Sequence, residues 1–100
     1  MEIEDVTPGV RIVAFNRPEV RNAFDTAMYQ EVTTALRAAD TDEAVGAVVL
    51  TGRGSAFTSG QDLAEMAAIA SGTAVEGAGR GFMELLDCLV DLSVDRKSVV

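Results

Sequence analysis

A cluster of three glycines between a short apolar segment and a helical pattern is the feature that most restricts the fold of this chain. The apolar segment AVGAVVL covers residues 44–50, the turn TGRGSAFTSGQDL covers residues 51–63, and the helical pattern LAEMAAIA follows from Leu63. A short, continuous apolar segment is typical of a buried strand in a parallel sheet. Glycines in such a turn let the backbone adopt positive φ angles or approach another group closely. We therefore predict a strand, a tight turn that approaches a ligand or another part of the chain, and a helix.

The residues before this turn predict a β-hairpin over residues 1–16. The segment TPGV at residues 7–10 fits a type II turn, because Pro8 fixes φ and Gly9 supplies a positive φ. The segment VRIVAF, residues 10–15, is apolar and β-branched enough for a strand. Pro18 then ends this strand region.

A helix and a second strand follow the hairpin. Asp25 or Thr26 can cap a helix that runs to about Ala39, because apolar residues then recur on one helical face. The residues on that face are Met28, Val32, Ala35, Leu36 and Ala39. The next strand is predicted at residues 45–50. A strand, a helix and a strand of these lengths predict a βαβ unit with parallel strands.

Two further helices are predicted after the glycine turn. A short helix starts near Leu63, and residues 71–79 are small and Gly-rich, as in a mobile loop. A second helix starts near Arg80, with an apolar face of Phe82, Leu85, Leu86, Leu89 and Val90. Cys88 lies among these residues and is predicted to be part of the core. Residues 98–100 predict the start of another strand.

Composition excludes several classes of function. The 100 residues correspond to one domain, and 48% hydrophobic content is sufficient for a core. A net charge of -8 disfavours binding to nucleic acid or to an anionic membrane surface. The acidic start MEIEDVTPG is unlike a signal peptide, so a cytoplasmic location is expected. One cysteine and no histidine exclude a disulfide, a Cys/His zinc site and a histidine-dependent nucleophile, and no metal site is predicted.

The glycine turn fits none of three common motifs. A Walker A loop, a dinucleotide-binding fingerprint and a nucleophile elbow each fail on residue spacing. Residues 60–62 instead precede a helix whose first N–H groups lack intrahelical partners and favour a negatively charged oxygen. Asp62 can cap this helix, leaving the Gln61 N–H to face a ligand. The alternative is a tight left-handed turn that binds nothing.

Two motifs in order along the chain resemble the N-terminal part of the crotonase, or enoyl-CoA hydratase/isomerase, superfamily. They are NRPEVRNAF at residues 16–24 and AVGAVVLTGRGSAFTSGQDLAEM at residues 44–66, and LLDCLVDL follows them. The resemblance implies an α/β fold of the crotonase-like (ClpP/crotonase) type. This fold is a spiral of ββα units, here represented by an N-terminal fragment with a hairpin, a βαβ unit and additional helices.

The resemblance also implies a chemistry and its residues. An acyl-CoA thioester is the substrate, no separate cofactor is needed, and two backbone N–H groups stabilise an enolate-like oxyanion. The first of these donors is the N–H of Gln61. The CoA moiety is held by main-chain groups of Asn22, Ala23, Gly60, Asp62 and Leu63. Arg17, Arg21 and Arg53 flank these loops and are candidates to contact the CoA phosphates.

The remaining catalytic groups are expected outside this sequence. By resemblance, the second donor and the catalytic carboxylates follow the strand that starts near Ser98, so the chain is expected to be a truncated domain without activity of its own. Missing units should leave apolar strand faces exposed, and the full-length protein should form a homotrimer or hexamer. Glu65 is expected on a solvated helix face. The alternative function is a non-catalytic module that binds acyl-CoA or a partner subunit, and the sequence does not choose among hydration, isomerisation and related reactions.

Overall fold

The computed structural model describes residues 1–73 and 79–100. Within these ranges the α/β fold contains the strands β1 (Glu2–Thr7), β2 (Val10–Phe15), β3 (Ala47–Gly52) and β4 (Ser98–Val99). The helices are α1 (Thr26–Thr41), α2 (Leu63–Ser71) and α3 (Gly81–Val94), and a short 3-10 helix covers Pro18–Val20. The predicted mobile loop at residues 71–79 falls mainly on residues 74–78, which lie outside the described residues.

The strands form one mixed sheet in the order β1-β2-β3-β4. β1 and β2 pair antiparallel, and Gly9 has a φ of 86°, as the predicted type II turn requires. β2 and β3 pair in parallel, with Phe15 opposite Gly52, and β4 pairs in parallel with β3. The predicted hairpin, βαβ unit and final strand are therefore confirmed. The carboxyl ends of β2 and β3 lie side by side, and the loops that leave them meet at this edge.

The position of β3 differs from the prediction of residues 45–50. The Val45 N–H donates to the C=O of Asp42 at 3.0 Å, and this bond closes a turn after α1 instead of starting the strand. At the other end, Thr51 and Gly52 continue the pairing because they lie opposite Ala14 and Phe15. The strand therefore extends into the glycine turn itself.

The boundaries and the apolar face of α1 agree with the prediction. Asp25 is the N-cap, and its carboxylate accepts the Met28 N–H at 2.9 Å. The predicted face is buried, and its members are Met28, Val32, Ala35, Leu36 and Ala39. These side chains form the core together with β2, β3 and part of α3.

The predicted apolar face of α3 is only partly correct. Cys88 and Leu92 are the buried residues, as expected for Cys88, while Leu85 and Leu89 are partly buried against the core. These four residues recur every three or four positions and form the stripe that faces the core. Leu86 and Val90 lie off this stripe and are exposed, whereas Phe82 continues the stripe at the start of α3 but is itself exposed.

Exposed apolar side chains lie mainly on helices, not on strand faces as expected. α2 has no buried residue, and α3 presents a second apolar surface to solvent. The large exposed apolar residues of the two helices are Leu63, Met66, Ile69, Phe82, Met83, Leu86, Val90 and Val94. In the strands, only Ile3 and Val6 of β1 belong to this class among the described residues. None of the helices that the structure describes is long and apolar enough to cross a membrane.

Lys97 fixes the start of β4 against the C-terminal end of α1. Its Nζ donates to the C=O groups of Ala39, Asp40 and Asp42 at 2.5, 2.7 and 2.9 Å. The last turn of α1 contains no basic residue of its own. A cation from elsewhere in the chain therefore satisfies these carbonyl groups and complements the helix dipole.

An acidic pair beside this lysine predicts a pH-dependent stability. The neighbouring Asp95 carboxyl is the main reason that the pKa of Asp40 lies above its ordinary value of 3.8, and desolvation adds to it. A group whose pKa is higher in the folded protein than in the unfolded chain stabilises the fold at pH values below its pKa in the unfolded chain. This stabilisation is lost as the pH rises through the pKa in the folded protein. We therefore expect Asp95→Asn to raise the melting temperature at pH 7 and to have little effect near pH 3.

Asp87→Asn is the matched control, because it removes an exposed carboxylate from α3, the helix that Asp95 directly follows, without changing the acidic pair. Thermal unfolding by circular dichroism across this pH range gives the comparison. Equal effects of the two substitutions at every pH would contradict the assignment of repulsion to Asp40 and Asp95.

Candidate active site

Asn22 joins the loop after β2 to the glycine turn after β3. Its side chain is fully buried, and its Oδ1 accepts the Arg17 N–H at 2.7 Å. Its Nδ2 donates to the C=O groups of Arg53 and Ala56 at 2.9 and 2.7 Å. The two sequence motifs therefore come together in space, as loops that follow neighbouring parallel strands of a βαβ unit do, and Asn22 is the residue that connects them.

Main-chain groups of Asn22 and Ala23 are already paired within the protein. The Asn22 N–H donates to the C=O of Arg17 at 2.8 Å, and its C=O accepts the Thr58 hydroxyl at 2.7 Å. The Ala23 N–H donates to Val20 at 3.1 Å, and its C=O accepts the Arg17 guanidinium at 2.5 Å. The predicted contacts of these two residues with CoA stay predictions, and their observed role is to shape the loop.

Gln61 lies in a short parallel bridge with Phe24. The Phe24 N–H donates to the C=O of Gly60, and the Asp62 N–H donates to the C=O of Phe24, both at 2.7 Å. In a parallel bridge of this kind, the N–H of the central residue points away from the partner strand. The N–H groups of Gln61 and Leu63 donate no hydrogen bond within residues 1–73 and 79–100.

The N-terminus of α2 begins directly after Gln61. Asp62 is its N-cap, and the carboxylate accepts the Glu65 N–H at 3.0 Å, as predicted. Leu63, the first residue of α2, has a side chain that is 77% exposed. Unpaired N–H groups at a helix N-terminus and the helix dipole together favour an oxygen that carries negative charge.

Glu65 is not the solvated side chain that was expected. Its Oε2 accepts the Thr26 N–H at 2.7 Å, and its Oε1 accepts the Thr26 hydroxyl. Thr26 is the first residue of α1, so Glu65 connects the N-termini of the two helices. The partners are 39 positions apart in sequence, so helical spacing gave no indication of this contact.

Arg17 lies between the capping carboxylates of α1 and α2. Its Nη1 is 3.3 Å from the Oδ2 of Asp25, and its Nη2 is 3.5 Å from the Oδ2 of Asp62. The guanidinium thus partly offsets the negative charges of the two caps beside the Gln61 N–H. The contact of Arg17 with a CoA phosphate stays a prediction, and the structure gives this residue an internal role as well.

The other two predicted arginines lie at the surface of the same loops. The Nε of Arg53 is 2.6 Å from the Oε1 of Glu2, and both side chains are about half exposed. Arg21 is exposed, makes no ion pair with any described residue, and accepts the Ser59 N–H at its C=O at 3.0 Å. Their predicted contacts with CoA phosphates stay predictions.

An apolar cavity of about 250 Å³ opens beside Gly60, between the sheet edge, α1 and α3. Gly60 contributes to its wall, whereas the next residue, Gln61, does not line it. Tyr29 lines the cavity, and its hydroxyl donates to the Oε1 of Gln61 at 3.0 Å. Burial, followed by the negative charge of Glu65, holds the pKa of Tyr29 above its ordinary value, so this hydroxyl stays protonated.

Sequence reasoning missed Tyr29, because a single tyrosine on a helix carries no local signal of a partner 32 positions away.

Among the described residues, no group of three or more His, Cys, Asp or Glu side chains is arranged to hold a metal ion.

Comparison with known proteins assigns the family. Residues 5–94 match the family model described as enoyl-CoA hydratase/isomerase. The chain belongs to this family. Human enoyl-CoA delta isomerase 2 is 37% identical over 86 residues, which cover 83% of this chain and 22% of that protein. The hydroxycinnamoyl-CoA hydratase-lyase of Pseudomonas fluorescens is 45% identical over 65 residues, which cover 65% of this chain and 22% of that protein.

Solved structures of the family confirm the crotonase-like fold. The crystal structure of an enoyl-CoA hydratase from Mycobacterium marinum matches with a TM-score of 0.77 and 40% identity. That match covers 88% of this chain and 41% of the Mycobacterium marinum chain. The chain thus spans about a fifth of the length of the curated family members and less than half of the solved chain.

Proposed function

We propose that the loops at residues 16–24 and 52–63 bind an acyl-CoA thioester, and that the Gln61 N–H donates to the thioester carbonyl oxygen. The observation that carries this proposal is the Gln61 N–H, which donates no hydrogen bond among the described residues and points away from Phe24 at the N-terminus of α2. The donor acts most strongly when the oxygen gains enolate charge, since hydrogen bonds to a charged acceptor are the stronger ones.

The charges around Gln61 support an anionic carbonyl oxygen. The carboxylate of Asp62, if left alone, would repel such an oxygen. Instead, one Asp62 oxygen accepts the Glu65 N–H and the other lies 3.5 Å from Arg17. The cap is therefore hydrogen-bonded and paired with a cation, while the helix dipole and the Gln61 N–H favour a negatively charged oxygen.

Enzymes of the family act on CoA thioesters and need no separate cofactor. The relatives of this chain include an isomerase and a hydratase-lyase. We extend to this chain only the step common to such reactions, which is stabilisation of a thioester enolate. The cavity beside Gly60 is proposed to receive the acyl group.

A second candidate function is a non-catalytic module that binds acyl-CoA or a partner subunit on the same scaffold. The exposed apolar surfaces of α2 and α3 favour it, because patches of this kind commonly mark interaction sites. A thioester that binds without polarisation of its carbonyl group would support this second candidate.

Two substitutions at Gln61 test the proposed donor. Gln61→Ala removes the side chain and keeps the N–H, whereas Gln61→Pro removes the N–H. We expect the carbonyl stretch of bound crotonyl-CoA, measured by difference infrared spectroscopy with a ¹³C label, to move to lower frequency in the parent chain and in Gln61→Ala. Gln61→Pro should lose this shift, because the donor is absent.

The bridge to Phe24 uses the Gly60 C=O and the Asp62 N–H, so proline at position 61 leaves both bridge bonds in place. Circular dichroism of each variant checks the fold. A retained carbonyl shift in a folded Gln61→Pro variant would exclude Gln61 as the donor.

We also propose that the second backbone donor and the catalytic carboxylates of the family site come from residues beyond position 100. The expected result is that the purified 100-residue chain neither hydrates nor isomerises crotonyl-CoA at a detectable rate. The assay follows loss of the conjugated thioester absorbance, with an active family enzyme as the positive control. Turnover that co-purifies with the chain and disappears in Gln61→Pro would place a complete site within these residues.

We propose in addition that the full-length protein assembles as a trimer or hexamer.

A further inference from the structure

All aromatic side chains of this protein line one cavity. The sequence contains four phenylalanines, one tyrosine and no tryptophan. The cavity beside Gly60 is lined by Phe15, Phe24, Tyr29, Phe57 and Phe82, which are all five of them. They come from β2, the loop before α1, α1 itself, the glycine turn and α3. No local pattern in the sequence brings these residues together.

We propose that this cavity binds the aromatic ring of an aryl-substituted enoyl thioester in preference to a saturated acyl chain of the same size. This substrate class rests on the proposed function, because the thioester carbonyl has to lie at Gln61 for the acyl chain to enter beside Gly60. Gly60 and Gln61 are adjacent in the chain, and of these two residues Gly60 is the one that contributes to the cavity wall.

The size of the cavity suits one ring and a short connecting chain. A closed apolar cavity of about 150 Å³ is sufficient to bind benzene in another protein. The volume here is about 250 Å³, which leaves room for a ring and for the carbons that join it to a thioester. A long aliphatic chain would extend beyond this volume.

The ring geometry of the wall favours an aromatic guest. Phe15 contacts Phe24 edge-to-face, with ring centres 5.0 Å apart and planes at 81°. Phe15 also lies 5.2 Å from Phe57, and Phe24 lies 4.8 Å from Tyr29, both in tilted arrangements. Such pairs are more favourable than area burial alone because ring edges and faces carry opposite partial charges. A saturated ring in the same place gains only the burial.

The polar groups in the wall are already occupied. The side chains of Tyr29 and Thr58 are the polar ones among the residues that line the cavity. The Tyr29 hydroxyl donates to Gln61, and the Thr58 hydroxyl donates to the C=O of Asn22. The interior therefore presents hydrocarbon and ring surface to a guest, as a hydrocarbon ring requires.

The experiment compares 3-phenylpropenoyl-CoA with 3-cyclohexylpropenoyl-CoA, which have the same carbon skeleton and differ only in the ring. Isothermal titration calorimetry with the purified chain measures both, together with CoA alone. We expect the phenyl compound to bind about 3- to 10-fold more tightly. Methyl NMR signals of Val32, Leu50 and Leu89, which line the cavity, should show ring-current shifts with the phenyl compound only.

Two substitutions on α3 give a matched control. Phe82 lines the cavity and is 53% exposed, so Phe82→Leu should leave the fold intact and reduce the preference for the phenyl compound to less than about 2-fold. Met83 is 59% exposed and does not line the cavity, so Met83→Leu should leave the preference unchanged.

Equal affinity for the two thioesters, or ring-current shifts absent from the three methyl-bearing residues, would overturn the aryl preference and leave the proposed acyl-CoA site in place. Failure of CoA and of both thioesters to bind would overturn the proposed function and this inference with it.

Discussion

Replacing Asn22 with alanine is expected to lower the free energy of unfolding by about 3–5 kcal/mol, because buried groups lose their hydrogen-bond partners. The substitution leaves the Arg17 N–H and the C=O groups of Arg53 and Ala56 without the bonds that Asn22 provides. Asn22 also has a φ of 57°, a left-handed conformation that asparagine tolerates better than alanine does. Both effects act at the junction of the two loops that form the candidate site.

Urea unfolding followed by circular dichroism measures this loss, and two further variants separate its causes. Asn22→Gly removes the side-chain bonds but accepts a positive φ, so it should recover about 1 kcal/mol relative to Asn22→Ala. Asn16→Ala changes an exposed asparagine and should have little effect. A loss below about 1 kcal/mol for Asn22→Ala would mean that the loops are held together by other contacts.

Replacing Gly52 with alanine is the second change with a large expected effect. A Cβ at this position would lie within 3.0 Å of the C=O oxygens of Ala56 and Phe57, and 2.7 Å from the Nδ2 of Asn22. Two of these atoms are main-chain oxygens and the third belongs to the buried, hydrogen-bonded Asn22 side chain, so the turn has to open. Overpacking typically costs about 1–3 kcal/mol, and displacement of the Asn22 amide adds to that, giving roughly 3 kcal/mol or more.

Gly46→Ala is the matched control for this substitution. Gly46 precedes the same strand, and its added Cβ would meet only one atom, at the ordinary distance of 3.8 Å. Urea unfolding should therefore separate the two variants clearly. In addition, the side-chain amide NMR signals of Asn22 should move in Gly52→Ala and stay in place in Gly46→Ala. Similar stabilities for the two variants would show that the glycine turn is looser than the distances indicate.

Local sequence signals predicted much of the fold correctly. The apolar period of α1, the caps Asp25 and Asp62, and the hairpin turn at Gly9 each depend on residues within a few positions of one another. Such features follow from backbone geometry and from the hydrogen-bonding needs of helix ends. The meeting of the two motifs followed from the βαβ unit, because loops after neighbouring parallel strands leave the same sheet edge.

Contacts between distant residues explain where the sequence was insufficient. Glu65 bonds to Thr26, Arg17 lies between two caps, and Tyr29 bonds to Gln61, and none of these pairs is close in sequence. Each of these side chains has several plausible partners until the fold selects one. The buried stripe of α3 was misjudged for a related reason, since Leu86 and Val90 were placed on the core face that Cys88 and Leu92 occupy.

Because α2 has no buried side chain, polar contacts have to hold this helix and the adjacent Gln61 in place. Among the described residues, four polar contacts hold Gln61 and α2 to the rest of the fold. They are the Phe24–Gln61 bridge, the Tyr29–Gln61 hydrogen bond, the Glu65–Thr26 bonds and the Arg17–Asp62 ion pair. Regions with few buried apolar contacts open locally without global unfolding, and their amide protons exchange with solvent sooner than those of the core. Since salt screens ion pairs and leaves apolar burial in place, rising ionic strength should loosen this segment while the α1 core stays closed. The salt concentration should therefore affect how firmly the proposed oxyanion donor, the Gln61 N–H, is held in place.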